Sequence, residues 1–365
     1  MSGAFFVVLA VSITGVGGAR EQPSTSAMSD SSCVAAFDSL QAIFRNDYPG
    51  YREKVAGRST QLVALTDTIR AIARRSDEPS ICIPALQRWT RFFHDQHVIG
   101  PWQSEAPKPQ SPGPREPTAS DQANDPDRPS LQFVDDSTSV VRLPSFDAAY
   151  KHVIDSLIDH NAARLRAMPY LILDVRGNGG GYTGSYTTLI PFIYSGPIRL
   201  SGADMWASPA NIAHYRELSG DSRLPAHERA SLRLLVERAA RHVHHFVVIQ
   251  QDTIIRLASV LSLPRRIAVV MDSGCASSCE DFVLAARQST KVTLIGTHSA
   301  GIHDYGEVRR VALPGWRRLM MPTSRAHGPG IDNVGITPAV ELPSGETDAL
   351  AFARRYLAAR DFSTH

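Results

Sequence analysis

The sequence predicts an α/β protein that carries a smaller helical region at its N-terminus. From residue 139 onward, short apolar runs rich in β-branched residues alternate with helix-like stretches, which is typical of an α/β core. Between residues 33 and 91 apolar residues recur at helical spacing instead. The length of 365 residues allows a substantial core in one or two domains.

The first 19 residues resemble a signal peptide. An apolar run from Phe5 to Val11 leads into a glycine-rich stretch that ends in small residues near Ala19. We therefore predict a signal peptide at 1–19 and export to the periplasm or the medium, although this start has no Lys or Arg before the apolar run. The alternative is a disordered or wrongly assigned start. No later apolar run reaches the ~20 residues of a membrane span, so no span is expected in the mature chain.

Four cysteines fit an exported protein. Cys33 and Cys82 both lie in the N-terminal third and can join it by a disulfide, while Cys275 and Cys279 flank Ser277 and can close a small loop around it. A zinc site is the rival interpretation, but no cluster of His or Cys supplies four ligands at suitable spacing. We therefore expect disulfides and no metal cofactor.

The chain divides into three parts after the leader. We predict a helical N-terminal domain at 31–100, a proline-rich linker at 101–130 and an α/β core at 131–365. Within the core, polar helices at about 207–241 interrupt the strands and form a lid or wall over the site. The net charge is only +2 at pH 7 and no basic stripe is present, so nucleic acid is not an expected partner.

The core is organised around a turn of small residues, Gly274–Asp281. An apolar strand from Arg266 to Met271 precedes this turn and a helix-like run from Phe282 follows it. A serine at the start of a helix lies among free backbone N–H groups, which suits a nucleophile whose attack creates an oxyanion. The alternative is structural: Ser277 or Ser278 caps the helix and Glu280 lies in its first turn.

A glycine cluster follows another buried strand. The stretch Leu173–Gly181 reads Leu-Asp-Val-Arg-Gly-Asn-Gly-Gly-Gly, which lets the backbone approach a neighbouring group closely. A flexible turn or a nucleotide-binding loop is the alternative. Neither G-x-G-x-x-G nor Gly-Lys-Ser/Thr is present, so no nucleotide cofactor is expected.

Together, these two stretches resemble the C-terminal-processing (tail-specific) and tricorn family of serine peptidases. The resemblance runs from about Asp95 to Leu342 and implies a ClpP/crotonase-like α/β core, with no PDZ module because the linker is too short for one. It implies that Ser277 is the nucleophile. It also implies that the oxyanion hole is formed by the backbone of Ser278 and of Gly179 and Gly180.

The candidate general base differs from that of the tail-specific branch. In that branch a lysine follows the serine in a Gly-x-x-x-x-Gly-Lys turn. Here Ile302 occupies the lysine position, so a Ser–Lys dyad is not expected. The tricorn-like branch uses a histidine that precedes the core and an acid near the C-terminal end. By this resemblance His97 is the general base and Asp332 orients it, with Asp where tricorn has Glu.

Several alternatives stay open for these roles. His298 and His303 lie beside the turn that replaces the lysine and are rival bases. Asp332 can instead cap the turn before Gly335. Ala339 stands where the family often has Asp after the proline of this segment.

The functional prediction is a serine endopeptidase or carboxyl-terminal processing-type peptidase that acts on peptides or proteins through an acyl-enzyme, without cofactors. A non-catalytic ligand- or peptide-binding module of the same fold is the alternative. A hydrolase of another ester or amide would share the same machinery.

Overall fold

The fold is described from a computed structural model, which covers residues 32–104, 125–222, 224–315 and 317–359. The predicted signal peptide and most of the predicted linker lie outside these residues. Within them no helix is both long and apolar enough to cross a lipid bilayer.

Four helices form the N-terminal region, which confirms its helical prediction. They are α1 (Cys33–Asp47), α2 (Tyr51–Val55), α3 (Ser59–Ala73) and α4 (Pro79–Thr90), followed by a 3₁₀ turn at Arg91–Phe93. The side chain of Ser32 caps α1 by accepting from Ala35 N at 3.1 Å. The predicted disulfide between Cys33 and Cys82 is present and joins α1 to α4.

The central sheet has six strands. In spatial order they are β13 (Val340–Glu341), β10 (Val292–Gly296), β9 (Arg266–Met271), β4 (Tyr170–Asp174), β3 (Thr138–Arg142) and β2 (Ser130–Phe133). All neighbouring pairs are parallel except β2 with β3. Because parallel strands end at the same edge, the segments that follow β4, β9 and β10 lie side by side.

Both faces of this sheet are covered. Successive side chains of a strand point to opposite faces, so Leu171 and Leu173 pack in one cluster while Tyr170 and Ile172 pack in another. The helices that accompany the sheet are α5 (Lys151–Leu165), α6 (Ile190–Ile193), α9 (Ser278–Ala286) and α10 (Ala349–Ala359). Alternating parallel strands and helices confirm the predicted α/β core.

A second, antiparallel sheet connects the core to the helical region. Its strands are β1 (Ile99–Gln103), β6 (Ala203–Trp206), β7 (Phe246–Gln250), β11 (Tyr305–Leu313) and β12 (Arg317–Ala326), while β5 (Ile198–Leu200) and β8 (Thr253–Ile255) form a separate pair. Side chains of β11 and β12 complete the apolar core of the N-terminal helices. The helical region is therefore packed onto the rest of the molecule, with an apolar interface.

Two helices, α7 (Pro209–Leu218) and α8 (Ala226–Ala240), lie in the segment predicted as an insertion. The sequence suggested a polar surface character, but Tyr215, Leu232 and Leu235 are buried in a small apolar cluster of their own. Glu228 of α8 accepts a hydrogen bond from the hydroxyl of Tyr182, which directly follows the glycine cluster. Helix α8 thus contacts the residue that follows the glycine cluster.

Candidate active site

The serine turn holds Ser277 in an unusual backbone conformation. Ser277 precedes the first residue of α9 and has φ of 57° and ψ of −123°. Residues other than glycine rarely adopt positive φ, and such conformations persist only where the surroundings enforce them. The predicted disulfide between Cys275 and Cys279 is present and brackets this residue on both sides. It also removes both thiols as candidate nucleophiles.

Glu280 is the residue that fixes the turn. Its buried carboxylate accepts from Ser277 N at 3.2 Å, from the hydroxyl of Ser299 at 2.5 Å, and from Gly301 N and Ile302 N at 2.8 Å. Ser277 N also donates to the carbonyl of Ile302 at 2.9 Å. The serine turn and the turn after β10 are therefore joined through one side chain, and the expected first-turn position of Glu280 is confirmed.

The glycine cluster approaches the serine from the neighbouring strand. Ala276 N donates to the carbonyl of Asn178 at 3.0 Å. Gly180 has φ of +94°, and a Cβ placed on it would lie 2.9 Å from Ser277 Cβ and 3.0 Å from Ser278 N. Only glycine permits this close approach of the two turns.

The three predicted oxyanion donors differ in their hydrogen bonds and exposure. Ser278 is the first residue of α9, where backbone N–H groups have no partner inside the helix. The N–H of Gly180 already donates to the side-chain oxygen of Asn178 at 2.9 Å, whereas Gly179 is exposed beside it. An oxyanion at Ser277 would have to share the Gly180 donor with Asn178.

His97 lies against the serine hydroxyl. Its Nε2 atom is 3.2 Å from Ser277 Oγ, although 180 residues separate the two in the sequence. The segment before β1 is held by Asp95, whose Oδ1 accepts from His97 N at 2.9 Å. Asn333 anchors the same segment by donating from its side chain to the carbonyl of His94 at 2.8 Å.

The environment keeps His97 neutral. Burial lowers the pKa of His97 to about 4, while the negative charge of Asp332 acts in the opposite direction and the charge of His303 adds to the lowering. At neutral pH the ring nitrogen that faces Ser277 is therefore available to accept a proton.

Asp332 lies near His97 without a hydrogen bond to it. Its Oδ1 accepts from the backbone N–H groups of His303 and Asp304 at 2.9 and 2.8 Å, which fixes one end of the carboxylate. Its Oδ2 and the Nδ1 of His97 are both buried, and neither has a hydrogen-bond partner among the described residues. The ammonium nitrogen of Lys54 lies 3.6 Å from this oxygen.

A second buried carboxyl group, Asp95, lies beside this pair. Its Oδ2 accepts from the hydroxyl of Tyr48 at 2.7 Å. Burial raises the pKa of Asp95 to about 7; the bond from Tyr48 opposes this, the charge of Asp332 adds to it, and Lys54 opposes it weakly. The site therefore contains two interacting carboxyl groups, those of Asp95 and Asp332, near His97.

The rival histidines occupy other positions. His298 is exposed, and its Nδ1 contacts the carbonyl of Ser299 at 2.8 Å. His303 is buried with Nε2 2.8 Å from Asp281 Oδ1. Burial lowers the pKa of His303, but the bond to Asp281 and the nearby carboxylate of Asp304 outweigh this and raise it to about 10. A histidine that stays protonated cannot act as a base near neutral pH.

A cavity of about 240 Å³ lies between α9 and β5, and its lining on α9 begins at Asp281. Its lining combines apolar side chains with Asp281, Arg199 and Arg287. No group of three or more His, Cys, Asp or Glu residues suited to a metal ion occurs in the described part of the chain.

The family follows from a comparison with known protein families. The model of peptidase family S41 matches residues 137–342, more than half of the chain. The chain belongs to peptidase family S41. The match includes Ser277, the glycine cluster and Asp332, whereas His97 lies before it.

Solved structures share the fold of this S41 chain at low sequence identity. A protein from Parabacteroides merdae ATCC 43184 is 14% identical with a TM-score of 0.56, and the alignment covers 92% of this chain and 100% of that one. Mature CPAF complexed with lactacystin is 13% identical with a TM-score of 0.58, covering 90% of this chain and 97% of that one. Among curated proteins, none matches this sequence.

Sequence reasoning did not find the residues around the candidate base and acid. Tyr48, Lys54 and the pairing of His303 with Asp281 carry no motif, since each contact forms between elements far apart in sequence. Asp95 is the residue of this group that the sequence does indicate, because it stands two residues before His97 in a short polar run.

Proposed function

We propose that this S41 chain is a serine peptidase in which Ser277 attacks the substrate carbonyl and His97 accepts its proton. The observation that carries the proposal is the 3.2 Å contact between His97 Nε2 and Ser277 Oγ. A neutral imidazole at this distance is suited to general base catalysis, and the strained serine turn exposes the hydroxyl at the start of α9.

Asp332 is proposed as the residue that orients His97. Its Oδ2 atom and the Nδ1 atom of His97, which have no hydrogen-bond partner among the described residues, would bond to each other, and this bond would favour the tautomer that accepts at Nε2. The positive charge that develops on His97 during attack would then face a carboxylate. Such a charge is stabilised strongly in a site that excludes water.

The proposed oxyanion hole contains the amide of Ser278 and the amides of the Gly179–Gly180 backbone. The tetrahedral oxygen would accept from Ser278 N–H at the positive end of the helix dipole of α9. Collapse of this intermediate expels the amine, which takes its proton from His97, and leaves an acyl group on Ser277. Water activated by His97 then releases the acyl group.

The substrates would be peptides or proteins, and the cavity along α9 is a candidate pocket for a substrate side chain. The two disulfides fit an oxidising compartment, which supports export to the periplasm or the medium. The proposed division is a leader at 1–19, helices at 31–100, a linker at 101–130 and a core at 131–365.

Labelling with a fluorophosphonate probe tests the proposal. Wild type should react, Ser277→Ala should not, and His97→Ala should react at least ~100-fold more slowly. His298→Ala is the matched control, since this exposed histidine contacts the carbonyl of Ser299, and it should react like wild type. Labelling that survives in His97→Ala but disappears in His298→Ala would show that His97 is not the general base. A correctly folded wild type that never labels would favour a binding module of the same fold.

Cleavage of a peptide library distinguishes a peptidase from another hydrolase. Products should appear with wild type and be absent with Ser277→Ala. Hydrolysis of simple esters without any peptide cleavage would contradict the peptidase assignment.

A further inference from the structure

Lys54 is a charged residue of the helical region that the proposed reaction does not use. It lies on α2 with its side chain 20% exposed, and its ammonium group is 3.6 Å from Asp332 Oδ2. The same ammonium lies over the ring of Tyr305, 5.1 Å from the ring centre. Lys54 is thus held between β11 and the candidate acid.

Asp95 and Asp332 both have largely buried carboxyl groups. The negative charge of Asp332 adds to the burial that raises the pKa of Asp95. If only one of them is ionised, the position of the charge matters. A charge on Asp95 would face Tyr48 and the backbone of His97, whereas a charge on Asp332 is free to face the ring nitrogen Nδ1.

The ionisable and charged groups that face this pair come from several elements, so the effect of Lys54 has to be weighed against all of them. They are Tyr48 after α1, Glu53 and Lys54 on α2, His97 before β1, Glu280 and Asp281 on α9, and His303, Asp304 and Tyr305 near β11. The ring of His303 is paired with Asp281, whereas the ammonium group of Lys54 lies 3.6 Å from Oδ2 of Asp332.

We propose that Lys54 is a positioning residue, which keeps the negative charge of the Asp95–Asp332 pair on Asp332 so that Asp332 can accept a hydrogen bond from the Nδ1–H group of His97. This inference rests on the proposed function. Under this proposal the helical region contributes His97 and Asp95 to the site. It also contributes Lys54, whose charge determines which of the two acids is ionised. Lys54 does not touch the reacting atoms.

The rate constant of fluorophosphonate labelling at pH 5–9 tests the role of Lys54. Lys54→Met should react ~10- to 100-fold more slowly than wild type at pH 7, while Lys54→Arg should stay within about 3-fold. Lys151→Met is the matched control, since Lys151 pairs with Asp155 within α5, and its rate should match wild type.

A second substitution separates the charge of Lys54 from its packing. In the double variant Lys54→Met/Asp95→Asn only one carboxyl group remains, so its rate should return to within about 3-fold of Asp95→Asn alone. A packing role predicts instead that the two losses multiply. Rescue by Asp95→Asn supports the proposal, and multiplied losses overturn it.

The outcomes distinguish this inference from the proposed function. If wild type labels and Lys54→Met labels equally fast across the pH range, the inference is wrong while the proposed function stands. If wild type does not label at all, the proposed function fails first. Lys54→Gln, compared by circular dichroism and labelling, replaces Lys54→Met if the methionine variant does not fold.

Discussion

Gly180→Ala is the sharpest test of the proposed oxyanion hole. The added Cβ would lie 2.6 Å from the carbonyl oxygen of Ala276, 2.9 Å from Ser277 Cβ and 3.0 Å from Ser278 N. Ordinary contacts begin near 3.4 Å, so the serine turn or the glycine loop must shift by about 0.5–1 Å. The φ of +94° adds a backbone cost of ~1–2 kcal/mol for an L-residue.

Both effects act at the place where the oxyanion would bind. A misplacement of ~1 Å costs about 100-fold in rate, and loss of one oxyanion donor costs about 100- to 1,000-fold. We therefore expect kcat for a peptide substrate to fall ~100- to 1,000-fold, with KM changed far less. The melting temperature should fall by a few degrees, which circular dichroism measures alongside the kinetics.

Gly177→Ala is the matched control in the same loop. Gly177 also has positive φ, at +72°, but a Cβ on it meets no atom within 4 Å. This variant should therefore lose about 1 kcal/mol of stability yet keep its rate within a few-fold. Retention of full activity by folded Gly180→Ala, or equal losses in both variants, would refute the reasoning.

Three further predictions follow from the site. Because His97 must be deprotonated to act and its pKa is lowered to about 4, the labelling rate should be flat from about pH 6 to 8 and fall only near pH 4; a midpoint near 6.5 would contradict the burial argument. The pKa of Asp95 is raised to about 7 in the folded protein, so its contribution to stability, ~4 kcal/mol at most, is lost as the pH rises from 4 to 7. In Asp95→Asn the free energy of unfolding in urea should therefore depend less on pH in this range, and an unchanged pH dependence would contradict the assignment. Replacing Cys275 and Cys279 by Ala should cost about 2 kcal/mol in urea unfolding and slow labelling ~10-fold, whereas removing the N-terminal disulfide should affect stability alone; equal labelling losses in both would contradict a local role.

The sequence predicts the central sheet and the serine turn well because both depend on local patterns. The run at β4 is mostly apolar, the run at β9 is apolar and β-branched, and each is followed by glycines that mark a turn. The positions of Ser277 and Glu280 follow from their place at the start of a helix. No contact with distant residues is needed to recognise them.

The second sheet and the surroundings of His97 are harder to predict. Strand β6 contains Asp204 and has a register shift against β7, so its sequence shows no clean alternation. Tyr48 bonds to Asp95 across the helical region, and Lys54 lies near Asp332 of the core because the N-terminal helices pack on β11 and β12. Such contacts depend on the packing of whole elements, which periodicity does not encode.

The wide separation of His97 and Ser277 has a consequence for the timing of activity. The base belongs to the helical region and the serine to the core, and 180 residues separate them in the chain. Under the proposed function the hydroxyl of Ser277 becomes reactive only after both regions have folded and docked. A chain that is still emerging from synthesis or crossing a membrane would then carry no active hydrolase, and a chain that misfolds would never gain one.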